Sequence, residues 1–530
     1  MSGMELDHDI CHRALRARDP RFDGRFFTGV ATTGVYCRPV CPARTPRSAH
    51  CTFFACAAAA EEAGFRPCRR CRPETAPGTP AWRGTSATVA RALRLIDEGA
   101  LDDAGVEALA GRLGIGDRHL RRLFAEQLGA SPLRVAHTRR VHFAKRLLEE
   151  TDLSMTRIAL AAGFRNVRRF NAAVRATFDR TPTAIRTRVR AGRRTAGDGL
   201  VTLRLAYRPP LDWEGMLAYL APRATPGVEE VAAGVYRRTV SLDGFTGRIE
   251  VAPAPGGAAA LHLRAPVDAA PVLARLADRT RAMFDLAADP AAVADALAGD
   301  VRLGRLVRRR PGLRVPGAWD RFELAVRAVL GQQITVAGAT RLAGRLVRTF
   351  GRPLAGSDWC TRVQSPAVQS RHGSARPAPR GDAAAGPAHP DPASPAWLFP
   401  RPADLVDADL AHIGIPAARA ETIRSLAGAA LAGEPLLELA PDLETAVARL
   451  AAVPGIGDWT AQYVAMRALR EPDAFPAGDL GLRKALARAG GGPLATSAVR
   501  RRSAAWRPWR AYAAMLLWQE PAATTRKETR

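Results

Sequence analysis

Four cysteines set the tightest constraint on how this chain can fold. Cys37 and Cys41 are separated by three residues, Cys68 and Cys71 by two. Two close pairs of soft ligands joined by a longer loop suit tetrahedral zinc, which collects four thiolates in this way. Six of the eight cysteines lie between Cys37 and Cys71, leaving only Cys11 and Cys360 outside. The first residues lack a basic start followed by an apolar core, and no run of 18 or more apolar residues occurs. A reducing, cytoplasmic setting is therefore expected, where clustered cysteines point to metal or thiol chemistry ahead of disulfides. Up to about residue 80 the chain is rich in Cys, Pro and Arg with little periodicity, as suits a small domain whose core is helped by a metal. Spacing alone favours a purely structural site, supplying folding energy on the order of 10–16 kcal/mol apparent. Cys51 and Cys56 fall outside the pattern and read as buried small residues able to compete for metal.

At 530 residues the chain exceeds one core and should divide into three or four domains. A Pro/Gly-rich break at Pro73–Pro80 closes the first. From about Thr85 to Val189 the apolar spacing is helical, broken at Gly114-Ile115-Gly116 and Gly163-Phe164. Alternation over Val201–Tyr207, Gly247–Val251 and Leu261–Arg264 predicts an antiparallel sheet, and helices resume from about Pro271 to Gln519. The expected domains are 1–80, 81–192, 200–285 and 286–522. Residues 361–396, mostly Pro, Ala, Ser and Gly with scattered Arg and His, read as a disordered surface insertion.

With 78 Lys+Arg against 51 Asp+Glu, the net charge of +27 attracts polyanions, so nucleic acid leads the expected partners. Two stretches, 106–128 and 155–178, each read as helix, Gly-containing turn and second helix, with Asp117 expected as the N-cap of the first of these second helices. Together with Phe178-Asp-Arg-Thr-Pro182 they resemble an AraC-type DNA-binding domain, which implies that each second helix enters a major groove. Arg118, His119, Arg121 and Arg122, then Arg165, Asn166, Arg168 and Arg169, are the candidate readers, each more apt to meet phosphate or water than a base.

The residues around the cysteines, Thr32-Thr-Gly-Val-Tyr-Cys-Arg-Pro-Val-Cys41 and Ala63-Gly-Phe-Arg-Pro-Cys-Arg-Arg-Cys71, closely resemble the N-terminal domain of the Ada family over roughly residues 7 to 75. The resemblance implies one zinc per chain, held by Cys37, Cys41, Cys68 and Cys71 in a role both structural and catalytic. It also implies that Cys37 takes a methyl group from a methylphosphotriester in DNA. Zinc keeps the thiol deprotonated, and a thiolate is the nucleophile. Four thiolates on one zinc leave a formal charge of about −2, and methylating Cys37 removes one negative charge, so affinity for the DNA backbone should rise. Arg44, Arg66 and Arg69 are candidates for flanking phosphates, an ordinary solvated basic surface being an equal reading of each.

Val453-Pro-Gly455-Ile-Gly457-Asp-Trp459-Thr-Ala461 has the form of a helix-hairpin-helix, whose glycine turn lets backbone amides approach a DNA phosphate. Taken with Phe475-Pro-Ala-Gly-Asp479-Leu480, Leu211-Asp-Trp213, Arg310–Gly317 and Ala328–Gln333, it resembles the AlkA type of 3-methyladenine DNA glycosylase from Leu203 to about Glu520. That resemblance makes Asp479 the catalytic aspartate, stabilising oxocarbenium character as the glycosidic bond breaks. It makes Trp459, Tyr463 and Trp506 pocket candidates for a flipped cationic base, and Gln333 the wedge candidate. Two departures stand out: Gln333 is polar where the family's wedge is apolar, and Ala477-Gly478 stand where the family carries further acid, leaving Asp479 alone. The glycosylase is expected to need no cofactor.

The combined expectation is a mainly α multidomain protein. It has a small zinc-bound α/β N-terminal domain, an all-α double helix-turn-helix domain, an α+β sheet domain and helical helix-hairpin-helix glycosylase domains. It should act on double-stranded alkylated DNA and on promoter DNA, meet RNA polymerase if it regulates, avoid membranes, work as a monomer and stay near the bacterial nucleoid. The Pro-Cys-His-Arg signature of a methylguanine methyltransferase is absent. Two rivals are a methylation-sensing regulator with an inactive glycosylase fold, and a zinc-stapled architectural DNA binder without chemistry.

Overall fold

A computed structural model describes residues 6–77, 87–102, 104–190, 199–354, 395–487 and 492–520. In the cysteine-rich segment, helix α1 (His8–Ala17) precedes β1 (Phe27–Val30), β2 (Val35–Cys37), β3 (Cys51–Phe54), α2 (Ala57–Glu62) and β4 (Arg66–Pro67). The strands form one sheet in the order β3-β1-β2-β4, antiparallel except for the parallel pair β2–β4. Gly29 at its centre lets two rings close over the sheet, since a Cβ there would lie 2.8 Å from Phe54 and 2.9 Å from Phe65.

The second segment is all helical: α3 (Ala87–Asp97), α4 (Val106–Arg112), α5 (Asp117–Leu128), α6 (Pro132–Glu150), α7 (Met155–Ala161), α8 (Val167–Phe178) and α9 (Pro182–Arg190). Helices α5 and α8 follow one plan, burying Leu120, Phe124 and Leu128 in one and Phe170, Val174 and Phe178 in the other. That spacing of four keeps the apolar stripe on one side and frees the opposite side for solvent or ligand. The expected cap of α5 shifts by one residue: Gly116 is the N-cap and Asp117 opens the helix. In α8 the side chain of Asn166 does cap, accepting from the amide of Arg169 at 2.8 Å.

Next come β5 (Leu200–Ala206), α10 (Trp213–Leu220), β6 (Glu229–Ala232), β7 (Val235–Leu242), β8 (Phe245–Pro253) and β9 (Ala260–Pro266). The five strands pair antiparallel in the order β5-β9-β8-β7-β6. Strands β5, β8 and β9 cover the three alternating stretches, whereas β6 and β7 escape that pattern because their inner side is charged. Arg238, 3% exposed, meets Glu323 at 2.8 Å, and Glu229 accepts from Tyr236 Oη at 2.6 Å and Arg327 at 2.7 Å. Burial alone would raise the Glu229 carboxyl, but Arg327 and Arg238 outweigh it and hold its pKa down at about 2.

The remaining helices are α11 (Leu273–Met283), α12 (Pro290–Leu297), α13 (Val301–Arg309), α14 (Arg321–Leu330), α15 (Val336–Phe350), α16 (Pro402–Leu405), α17 (Ala417–Leu431), α18 (Leu443–Ala451), α19 (Asp458–Arg467), α20 (Leu480–Ala485), α21 (Thr496–Ser503) and α22 (Arg510–Trp518). Nearly all of the insertion read at 361–396 lies outside the described residues. Its flanks meet, with the amide of Leu354 donating to the carbonyl of Ala396 at 2.8 Å. Among the described residues no helix is long and apolar enough to cross a membrane.

Buried polar groups tie the segments together. The hydroxyl of Tyr36, on a side chain without exposure, donates to Glu61 at 3.0 Å, and Glu61 also meets His142 at 2.9 Å and Thr138 at 2.7 Å, both on α6. On the other side of the helical segment, Arg91 and Arg94 of α3 converge on Glu471 at 2.8 and 3.2 Å. All three are at most 4% exposed. Arg91 also donates to the carbonyl of Pro441, and Arg94 to those of Leu469 and Arg470.

Candidate functional sites

The cysteine quartet assembles at one end of the first sheet. Cys37 ends β2, paired in register with Thr28 of β1, and the Cys41 amide turns back onto the carbonyl of Arg38. Cys68 follows β4, its amide bonded to the carbonyl of Tyr36 at 2.9 Å. Arg38 locks the two pairs to each other: its backbone amide lies 3.3 Å from Cys71 Sγ, and its guanidinium reaches Asp23, the Cys71 carbonyl at 3.0 Å and Thr75 at 2.8 Å. All four cysteines are buried, with their sulfurs within 4.8 Å of one another. A tetrahedral zinc with Zn–S of about 2.3 Å puts sulfurs about 3.8 Å apart, so the quartet fits one zinc ion. Cys51 and Cys56 are buried outside the cluster; Cys51 Sγ donates to the Arg47 carbonyl and Cys56 Sγ to the Leu128 carbonyl, both at 3.4 Å. Arg44 and Arg69 are exposed beside the cluster, and Arg66 pairs with Asp179 at 3.0 Å.

In the helical segment Arg118 and Arg168 occupy equivalent places, each the second residue of its helix, α5 or α8, and each exposed. Arg121, also exposed, leans on Asp117 at 3.5 Å.

The third site lies where α18, α19, α20 and α22 meet. Residues 452–457 join α18 to α19. Gly455 has a φ of +85°, and a Cβ there would come 1.9 Å from Thr422 Oγ1, so glycine is required twice over. Gly457 is the N-cap of α19 with no side chain bonded across it, which leaves the helix's first amides for an anion. Asp479 caps α20, and both its carboxylate oxygens are engaged. Oδ1 accepts from the Leu482 amide at 2.9 Å and Trp518 Nε1 at 2.9 Å, and Oδ2 from Trp459 Nε1 at 3.1 Å. The Trp459 and Tyr463 rings stack at 5.4 Å and 7°, with Trp518 tilted against Tyr463 at 6.3 Å. Behind them, Arg467 donates to the hydroxyls of Tyr463 at 2.8 Å and Tyr219 at 2.9 Å. Burial would raise the Tyr463 phenol, but Arg467, Arg223, Arg327 and the hydrogen bond with Tyr219 together outweigh it and leave the group below the ordinary tyrosine value.

Thus Trp459, Tyr463 and Asp479 come together, and Trp506 does not join them. It is 2% exposed, its Nε1 bonded to Asp300 at 3.1 Å and its ring edge-on to Phe475 at 5.8 Å. The third aromatic at the carboxylate is Trp518, which sequence reasoning missed. Gln333 is exposed on the turn between α14 and α15 at a φ of +56°.

The chain matches three family models: the metal binding domain of Ada over residues 10–74, a helix-turn-helix domain over 109–188, and the AlkA N-terminal domain over 202–320. It is 42% identical over 517 residues, 97% of each chain, to a Mycobacterium tuberculosis protein described as a probable bifunctional transcriptional activator/DNA repair enzyme AlkA. Over 318 residues, 59% of this chain and 95% of the other, it is 33% identical to DNA-3-methyladenine glycosylase 2 of Escherichia coli. Over 159 residues, 30% of this chain and 43% of the other, it is 36% identical to the bifunctional transcriptional activator/DNA repair enzyme Ada of Escherichia coli.

Proposed function

Because the chain belongs to the family of AlkA-type bifunctional transcriptional activator/DNA repair enzymes, we propose that its two repair chemistries are carried by Cys37 and Asp479. The protein is a 3-methyladenine DNA glycosylase joined to an Ada-type methylphosphotriester repair and regulatory unit. Residues 1–80 serve as methyl acceptor, 81–192 as promoter reader, and 200–285 with 286–522 as glycosylase.

The single observation that carries the glycosylase assignment is the Asp479 carboxylate held by three N–H donors, two of them on aromatic side chains able to face a flipped base. As the bond between C1′ and the base nitrogen breaks, its electron pair leaves with the base and positive charge grows on the sugar. The fixed carboxylate stabilises that charge. Water then adds to C1′ and gives up a proton, leaving an abasic site. Phosphate contacts at Gly455–Gly457 and from basic side chains hold the duplex.

At the other candidate site Cys37, Cys41, Cys68 and Cys71 would hold the metal. Bound zinc keeps these thiols deprotonated at neutral pH. Cys37 Sγ attacks the methyl carbon of a phosphotriester. The S–C bond forms, the C–O bond breaks, and the electron pair stays on oxygen, restoring an ordinary phosphodiester. The thioether is not readily cleaved, so each molecule acts once. Arg118, Arg121 and Arg168 are proposed to meet promoter DNA, with Arg44, Arg66 and Arg69 on flanking phosphates. RNA polymerase is the proposed partner of the activator role.

The test is one preparation on one DNA carrying both lesions: free 3-methyladenine should be released while mass spectrometry finds one added methyl group on the peptide containing Cys37. A regulator with an inert glycosylase fold would give the methyl group alone, and an architectural binder neither.

Trp518→Phe keeps a ring in place but removes one donor to the carboxylate. Hydrogen bonds to charged groups contribute about 1.5–3 kcal/mol, so single-turnover excision should fall about tenfold or more with DNA affinity unchanged. Excision at the wild-type rate would show that this N–H does not matter to the carboxylate.

A further inference from the structure

The hairpin proposed to grip DNA and the regulatory helices meet opposite ends of the same three helices. Helix α14 starts at Arg321, whose guanidinium meets Glu98 just after α3 at 2.6 Å, and ends at the turn where Gln332 Nε2 donates to the Gly455 carbonyl at 3.0 Å. Helix α18 starts beside Pro441, whose carbonyl accepts from Arg91 at 2.6 Å, and ends at the 452–457 hairpin. Helix α19 runs the other way: it starts after Gly457 and ends near the Leu469 and Arg470 carbonyls, which accept from Arg94 at 3.0 and 2.9 Å. These helices have 10, 9 and 10 residues. At a rise of about 1.5 Å per residue, α3 therefore docks about 15 Å behind the hairpin. Gly114, in the turn leading into α5, lies at the same rear end, since a Cβ there would come 3.3 Å from the Pro441 ring.

The junction uses up its own charges. Arg91 and Arg94 meet Glu471, Arg321 and Arg470 meet Glu98, and Arg112 of α4 meets Glu438. Arg118 and Arg121 on α5, and Arg168 and Arg169 on α8, stay exposed in the whole chain.

We infer that one molecule holds two duplex segments at once, a damaged one at the Asp479 site and an undamaged one on α5 and α8, and so bridges a lesion to separate DNA. This rests on the glycosylase and promoter-reading assignments. A phosphate held by the first amides of α19 sits on the helix axis beyond its N-terminus, so the damaged duplex lies across that end. The regulatory segment occupies the opposite end of the same axis, and a single straight duplex does not reach both. The two duplexes tolerate each other, because a protein layer of about 15 Å exceeds the screening length of about 8 Å at physiological salt.

The zinc-loaded full chain is mixed with two duplexes, one of about 12 base pairs carrying a tetrahydrofuran abasic analogue and one of about 30 undamaged base pairs, long enough for two reading helices one turn of DNA apart. Native mass spectrometry should find one chain carrying one copy of each. Fluorescence anisotropy of the labelled short duplex, already bound, should rise further when the long duplex joins it. The double variant Arg118→Ala/Arg168→Ala should lower the three-part species about fivefold or more relative to the chain with the short duplex alone, because phosphate contacts are lost. A fall in anisotropy, meaning that the long duplex displaces the short one, would overturn the inference. So would a three-part species that contains two chains, or one that the double variant leaves unchanged. If the wild-type chain neither retains the abasic analogue over undamaged DNA nor releases 7-methylguanine, the glycosylase reading fails instead.

Discussion

Asp479→Asn is expected to keep its hold on DNA and lose most of its excision. Aspartate and asparagine are nearly the same size, and the contacts proposed to bind the duplex, at Gly455–Gly457 and along basic side chains, do not involve the carboxylate. What disappears is the negative charge proposed to face the sugar as the glycosidic bond opens. Removing a comparable electrostatic stabiliser costs roughly 2.7–4 kcal/mol, so the single-turnover rate should drop about a hundredfold or more. The geometry adds a second loss. Both carboxylate oxygens accept N–H groups, from Trp518 and Leu482 on one side and Trp459 on the other. An asparagine amide nitrogen cannot accept, so one tryptophan must lose its partner and some of its orientation. Bases that leave already cationic should suffer less than neutral ones, since they need less help. The outcome that would sink the assignment is release of 3-methyladenine by Asp479→Asn at the wild-type rate.

Cys37→Ala should abolish methyl transfer from phosphotriesters outright while base excision stays near normal, because the proposed nucleophile and the proposed glycosylase site occupy different parts of the chain. The measurements are methyl incorporation by mass spectrometry and excision on the same preparation. Three thiolates remain to hold a metal, which zinc analysis checks directly. Their complex carries about one negative charge fewer than the full quartet, the same direction of change as methylation. Affinity for duplex DNA should therefore rise rather than fall. Loss of excision along with methyl transfer, in a folded protein, would overturn the separation of the two chemistries.

Most of the fold and of the candidate sites was legible because the residues concerned sit in short motifs. The cysteine pairs are visible as spacing, and the helical segment shows its two units as repeated turns. Apart from the one-residue shift at the cap of α5, the misses share one cause: contacts between residues far apart in sequence. Trp518 lies 39 residues from the carboxylate it serves. The Trp506 indole, nearer in sequence, turns into the core against Asp300. Strands β6 and β7 hid because Arg238 and Glu229 face inward, where a charge pair replaces the alternation that marks a strand.

The pairing of Arg91 and Arg94 with Glu471 bears on how such a chain could be taken apart again. Residues 380 positions apart share a buried junction. Gene fission between regulator and glycosylase would expose to water two guanidinium groups without their acid in one product and a carboxylate without its partners in the other, together with the apolar surface packed around them. In the intact chain, Glu471→Ala would leave both guanidinium groups buried without their acid and should cost about 3–5 kcal/mol, a large share of what a domain has to spare. Transplanting either half into another host chain would need compensating changes on α3 or at Glu471 before both activities returned.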